Sequence, residues 1–205
     1  MRAELNELQS AQLTALQNQI TPHYIVNALE AVRMKLLLDG QTESAELLRC
    51  LQNSMKTYGF APDERISLAE EFAFLEDNLK FHQFRFLGKL SWRVDLPSEL
   101  ESLQIPRFLL QPLVENAIRH GLSADMPNPR VEISAWLQKD TLCISVSDNG
   151  MGFPESVDSP GIGLTNVKER LYLLYGGNAT VEVESRSGCG TSVTLRLPEK
   201  GDSYI

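Results

Sequence analysis

Thr141-Leu142-Cys143-Ile144-Ser145-Val146-Ser147-Asp148-Asn149-Gly150-Met151-Gly152 is the stretch that decides the fold. Leu142, Ile144 and Val146 alternate with polar residues, the period of a half-buried strand. The strand ends in a carboxylate, Asp148, followed by two glycines, Gly150 and Gly152. A carboxylate at a strand tip can accept a hydrogen bond from an exocyclic amine, such as that of adenine. Charge-assisted bonds are worth about 1.5–3 kcal/mol, enough to tell one base from another. The glycines let backbone approach a ligand closely. Taken alone, the same letters also describe an ordinary Asp-Asn-Gly turn; the surrounding chain has to choose.

Downstream, Gly161-Ile162-Gly163-Leu164 opens a helix that runs to Tyr175. Glycines before a helix start offer free N–H groups and a positive dipole end to phosphates. The intervening loop, Phe153–Pro160, reads as a mobile lid. Further on, Gly188-Cys189-Gly190-Thr191 is a turn entering a strand, with Thr191 as a hydroxyl partner. Upstream, Gln111-Pro112-Leu113-Val114-Glu115-Asn116-Ala117-Ile118-Arg119-His120 reads as helix, with Pro106 placed as a first helical residue. Asn116 and His120 are one turn apart and share a face. An amide oxygen at Asn116 suits Mg²⁺, which prefers oxygen ligands and keeps several waters. Arg119 and His120 are candidates to reach phosphate. Strands at Lys89–Asp95, Arg130–Gln138, Thr141–Ser147, Thr180–Glu184 and Thr191–Leu197, with helices between, imply an α+β sandwich with helices on one face.

Residues 1 to about 88 have a different grammar: rich in Leu, Ala, Glu and Gln, helical throughout. Leu13, Leu16, Ile20 and Tyr24, then Ile25, Leu29, Val32 and Leu36, recur at spacings of three and four. Asp39-Gly40 is a turn, a second helix carries Leu47, Leu48, Leu51 and Met55, and Gly59 and Pro62 break it. Ser67-Leu68-Ala69-Glu70 is a capping box opening a third helix, with Leu68, Phe72, Leu75 and Leu79 inward. Burying one Leu stabilises by about 1.5–3 kcal/mol, so a lone hairpin with both stripes exposed is costly. Two hairpins meeting as a dimeric four-helix bundle remove that cost; the alternative is a hairpin packed on its own C-terminal half. The expected division is 1–66 for dimerisation, 67–88 for a connecting helix, 89–199 for the α/β sandwich and 200–205 for a tail. Hinges are expected at 59–66 or 87–89.

Composition narrows the function classes. A net charge of -8 argues against nucleic acid as partner. No apolar run reaches the roughly 18 residues of a membrane span, and no signal peptide opens the chain. Cys50, Cys143 and Cys189 form no CxxC pair and read as packing residues of a reduced, cytosolic chain. His82, Trp92 and Trp136 are read as structural.

Asn116, the Asp148-x-Gly150-x-Gly152 run, Gly161-x-Gly163 and Gly188-x-Gly190-Thr191, in that order, resemble the four motifs of the GHKL ATP-binding family. The resemblance implies a Bergerat fold in which Asp148 reads adenine and Asn116 holds Mg²⁺. There is no lysine-bearing P-loop. Hydrolytic members carry a glutamate four residues before the N-box asparagine; here that residue is Pro112.

Leu16-Gln17-Asn18-Gln19-Ile20-Thr21-Pro22-His23-Tyr24-Ile25-Val26-Asn27 carries a candidate nucleophile, His23; on these residues alone the alternative is a core or surface histidine of a helical bundle. Pro22 cannot donate to the carbonyl of Asn18, which kinks the helix and exposes His23. A free imidazole is about nine-tenths neutral at about pH 7.5 and needs little activation. Asn27, one turn on, is placed to orient the imidazole or a phosphate. This run is similar to the L-Q-x-Q-I-x-P-H-F-x-x-N signature of LytS/YesM-type sensor histidine kinases, with Thr21 for Asn, Tyr24 for Phe and Val26 for Phe. Ser67-Leu68-Ala69-Glu70-Glu71, Arg85-Phe86 and Leu110–Asn116 extend the likeness along nearly the whole chain. It implies a homodimer that phosphorylates His23 from ATP and passes the phosphoryl group to an aspartate of a response-regulator receiver domain. It also implies a cytoplasmic fragment of a membrane-anchored parent, an inner-membrane sensor. No acidic residue follows His23, so the identity of any general base is open; Glu115 is one candidate. The rival readings are a hydrolytic GHKL ATPase and a non-catalytic ATP-sensing dimerisation module.

Overall fold

The computed structural model describes residues 27–56, 64–153 and 162–198. His23, Gly59, Pro62, Gly161 and most of the expected lid lie outside the described residues. The chain divides into two compact units, 1–62 and 63–205.

In the first unit, helix α1 (27–38) ends at the predicted turn and α2 (Thr42–Lys56) follows. Gly40 is left-handed (φ +73°), and the Gln41 N–H reaches back to the Leu36 carbonyl at 2.9 Å. A glycine there avoids the Cβ cost of that conformation. Gln52 on α2 donates to Glu30 on α1 at 3.0 Å, and Glu30 also holds Arg33 at 2.6 Å. Val32, Met34, Leu37 and Leu38 of α1 are exposed.

The second unit starts at strand β1 (Arg65–Ser67), followed by α3 (Leu68–Arg85) and β2 (Ser91–Asp95). Strand β3 (Gln104–Pro106) leads to the short helix α4 (Gln111–Asn116), which runs on as a π-helical turn over Ala117–Gly121. Then come β4 (Arg130–Gln138), β5 (Thr141–Asp148), α5 (Ile162–Tyr175), β6 (Thr180–Arg186) and β7 (Gly190–Pro198). The five-stranded sheet has the order β2-β4-β5-β7-β6; β2 and β4 are parallel and the other pairs antiparallel.

Alternation sorts the sheet into two faces. Val131, Ile133, Leu142, Ile144, Val146 and Leu195 are buried on one face. Helices α3, α4 and α5 cover it, sharing one apolar cluster with them through Leu75, Leu79, Val114, Ile118, Val167 and Leu171. This is the α+β sandwich expected from the sequence. The capping box at Ser67 is present in full: Glu70 N–H donates to the Ser67 hydroxyl, and the Glu70 carboxylate accepts from the Ser67 N–H. Leu68, Phe72, Leu75 and Leu79 are all buried, so α3 is part of this core and more than a connector.

Three expectations need correction. Pro106 does not start a helix: it ends β3 and pairs with Arg65 of β1. Pro112 takes the first-turn position of α4 instead, where its missing N–H costs nothing. Trp136 is not core; it stands 37% exposed on the outer face, because the buried set Val131, Ile133 and Ala135 places even-numbered residues outward. Trp92 does pack against the core. Cys143 is buried, whereas Cys189 is exposed in the β6–β7 turn.

Candidate active site

Helix α4 and its π turn present Leu113, Asn116, Ala117 and His120, spaced three, one and three apart, to a cavity of about 270 Å³. The opposite walls are Val146 and Asp148 of β5, Val183 of β6, and Thr191 and Val193 of β7. Gly152, Phe153 and Leu164 close it. The walls are mostly apolar, with a single carboxylate at the bottom. That lining, with one acceptor among apolar walls, suits a flat aromatic ring bearing one amine.

Asp148 is positioned by its own loop. Its Oδ1 accepts from the Gly150 N–H at 2.8 Å, and the Thr191 N–H also donates to it. Burial raises its pKa above the ordinary aspartate value, and these two N–H groups pull it part of the way back. Gly121, the last residue of the π turn, sits directly against it: a Cβ there would lie 2.6 Å from Asp148 Oδ1. The π turn brings the end of the helix to the strand tip, a use of π geometry common at functional sites.

The glycines prove to be required by backbone meeting backbone. A Cβ on Gly150 would lie 1.9 Å from the Gly121 carbonyl oxygen, and one on Gly190 would lie 1.9 Å from the Asp148 carbonyl oxygen. The Met151 N–H donates to that Gly121 carbonyl at 2.8 Å. Between them, Asn149 is engaged at both ends of its amide: the oxygen accepts from the Arg130 N–H and the nitrogen donates to the Asn128 carbonyl, both at 2.8 Å. The Ser185 hydroxyl ties the second turn down, lying 2.9 Å from Thr191 Oγ1 and accepting from the Phe153 N–H at 2.9 Å.

Asn116 is half-buried, and its amide lies 3.0 Å from where a Cβ on Gly163 would stand. The start of α5 therefore closes on the N-box amide. Among the described residues there is no cluster of three or more His, Cys, Asp or Glu able to hold a metal. A metal here would take one amide oxygen from the chain and its remaining ligands from phosphates and water, which suits Mg²⁺.

The structure thus brings together Asn116, His120, Asp148, Gly152, Leu164 and Thr191 around one cavity, with Gly150 and Gly163 beside it. Two predicted residues lie elsewhere on the helix. Glu115 accepts from Gln111 at 2.9 Å, and Arg119 is exposed and close enough to His82 to lower its pKa, behind burial and Arg85. Asn27 is exposed at the start of the described part of α1. Gly121, Asn149 and Ser185 were not foreseen; only Gly121 carried a signal, a glycine directly after the helical run ending in His120.

The model described as "Histidine kinase-, DNA gyrase B-, and HSP90-like ATPase" matches residues 103–201, and the "Histidine kinase" model matches residues 11–90. Together they cover the cavity and the hairpin in the order the sequence motifs require. The chain belongs to the sensor histidine kinase family. It is 30% identical over 196 residues to sensor histidine kinase BtsS of Escherichia coli K12, covering 96% of this chain and 35% of that protein. It is 29% identical to sensor histidine kinase YesM of Bacillus subtilis, covering 93% of this chain and 34% of that protein. The chain therefore spans about a third of the length of these curated relatives. Among solved structures, the histidine kinase domain of Erythrobacter litoralis EL346 aligns with a TM-score of 0.51 at 20% identity, covering 96% of this chain and 94% of that one. Acinetobacter baumannii histidine kinase AdeS aligns with a TM-score of 0.52 at 20% identity, covering 88% and 96%. At that identity the likeness is one of fold. Among the described residues no helix is long and apolar enough to cross a membrane.

Proposed function

We propose that this chain is the transmitter portion of a sensor kinase, binding ATP with Mg²⁺ in the α4–β5–α5 cavity and phosphorylating His23. The observation that carries the reading is Asp148: a half-buried carboxylate, pinned by the Gly150 N–H at 2.8 Å, in an otherwise mostly apolar cavity that also holds Asn116. Asp148 accepts from the adenine amine, and Leu113, Val146, Leu164 and Val193 sandwich the ring. Asn116 offers its amide oxygen to Mg²⁺, and His120 and the start of α5 stand toward the phosphates. Bound Mg²⁺ neutralises charge on the β- and γ-phosphates.

The neutral His23 imidazole attacks the γ-phosphorus in line. An N–P bond forms as the P–O bond to the β-phosphate breaks, ADP leaves with the electron pair, and the ring proton passes to solvent. Catalysis is positioning and electrostatics. Glu115 does not line the cavity, and a neutral imidazole needs no base from it. Asn27 orients the imidazole. The phosphoryl group then passes to a receiver-domain aspartate of a response regulator.

The exposed apolar residues Val32, Met34, Leu37 and Leu38 support a homodimer through the hairpin, since a second copy is the simplest way to cover them. The site sits in a piece of a larger, membrane-anchored sensor and works on the cytoplasmic side. ATP labelled at the γ-phosphate tests the reading. Protein label that is lost in acid but stable in base is expected; free phosphate without protein label would indicate hydrolysis, and nucleotide binding without either would indicate a sensor.

A further inference from the structure

Glu71 is a charged residue with no exposure at all, on the third helix, outside the cavity. Its two carboxylate oxygens accept separate backbone N–H groups from one turn. Oε2 takes the Phe108 N–H at 2.9 Å and Oε1 takes the Leu110 N–H at 3.0 Å. That turn is unusual in itself. Phe108 is left-handed (φ +55°), a conformation that a bulky side chain rarely adopts and that the surroundings must hold. Phe74, on the same face of α3 three residues beyond Glu71, packs edge-on against the Phe108 ring at 4.7 Å. Just before the turn, the Arg107 N–H donates to the Glu64 carbonyl at 2.8 Å, and the two side chains pair at 2.9 Å.

The turn matters because α4 grows out of it. The Leu110 carbonyl accepts from Leu113 and Val114 as the first helical bonds, so Leu110 is the residue from which the helix takes its direction. Asn116 lies six residues on, about 9 Å along the axis at about 1.5 Å per residue. A tilt at Leu110 therefore becomes a displacement of the Asn116 amide. The same carboxylate feels Arg170, on α5, whose first turn carries Gly163 and Leu164 against Asn116 and the cavity. Asp148, by contrast, is carried by β5 and pinned by its own glycine loop, and meets the α4 segment at Gly121, whose carbonyl the Met151 N–H ties to that loop.

We propose that Glu71 is a positioning residue for the metal-nucleotide half of the site: it holds the 108–110 turn that aims Asn116, and acts on Asp148 less, through the far end of the π turn at Gly121. The proposal rests on the nucleotide-site reading above. A glutamine at this position keeps the shape but offers one acceptor and one donor, so one of the two N–H groups faces an NH₂.

The test is titration calorimetry of the full chain, wild type and Glu71→Gln, with ATP plus Mg²⁺ and with ADP in EDTA. The expected result is a loss of about tenfold in Mg-ATP affinity, the low end of effects seen for outer-shell partners of metal ligands, with Mg-free ADP affinity nearly unchanged. Leu100→Ala, a buried residue outside the cavity lining, serves as a control for lost stability and should show neither effect at a temperature below its melting. If Glu71→Gln does not fold, Glu71→Asp carries the same comparison. Equal losses with and without Mg²⁺, or no loss in either, would overturn the proposal while leaving the nucleotide site standing. A wild-type chain that binds no adenine nucleotide would remove the site and the proposal together.

Discussion

Replacing Gly150 by alanine tests how the site is built. The added Cβ would stand 1.9 Å from the Gly121 carbonyl oxygen, 2.2 Å from its carbon and 2.7 Å from Asp148 Oδ1. Two of these atoms are backbone and cannot rotate away, so the π turn and the strand tip must separate by more than an ångström. That movement breaks the 2.8 Å bond from the Met151 N–H to the Gly121 carbonyl. Overpacking costs about 1–3 kcal/mol and the lost hydrogen bond about 1 more, giving about 2–4 kcal/mol in all. For a unit of this size that is a fall of about 10 °C in Tm. Circular dichroism melts of wild type and variant measure it, and titration with Mg-ATP on the same samples should show binding lost as Asp148 moves. A variant that melts within a degree of wild type and binds nucleotide normally would refute the backbone-contact account of the motif.

Asp148→Asn should lose about tenfold to a hundredfold in adenine affinity, the worth of a charge-assisted bond, read by calorimetry. The unliganded variant should melt no lower than wild type: the fold raises this carboxyl's pKa, so its contribution to stability is present below the unfolded value and lost as pH rises through the folded one. Wild-type adenine affinity should accordingly weaken as pH falls through that raised value, since a protonated Asp148 is a poorer acceptor; a flat profile down to pH 4 would count against the assignment. Asn116→Ala should abolish the gain in ATP affinity on adding Mg²⁺ while Mg-free ADP still binds. Ser67→Ala should cost about 1 kcal/mol by removing the cap of α3, seen in chemical denaturation. That difference should shrink in acid: Glu70 is held down chiefly by the Ser67 N–H, which the variant keeps, and next by the Ser67 hydroxyl, which it loses, and the hydroxyl's share disappears as pH falls through the lowered pKa.

Strands β4, β5, β6 and β7 and helix α5 were legible because their residues repeat with clean periods, and the capping box marked the start of α3 to the residue. What escaped was non-local. Pro106 looked like a helix start because its partner, Arg65, lies about forty positions earlier, and pairing at that distance leaves no local trace. The parallel pairing of β2 with β4 was invisible for the same reason. Trp136 has the residue type of a core position, but the alternation of Val131, Ile133 and Ala135 points it outward, and period outweighs residue type. The glycine motifs were found where they are, but for an incomplete reason: Gly150 and Gly190 are excluded from bearing a side chain by other backbone, before any ligand arrives. Glu71 belongs to a stretch that carries the family likeness, and only the fold shows it buried beneath the turn that aims Asn116.

The most direct measurement compares wild type with His23→Gln for γ-phosphoryl incorporation and for Mg-ATP affinity in the same preparation. The account predicts acid-labile label on the wild type alone, with matched affinities for nucleotide. Undiminished labelling of the variant, or label that survives acid, would contradict it.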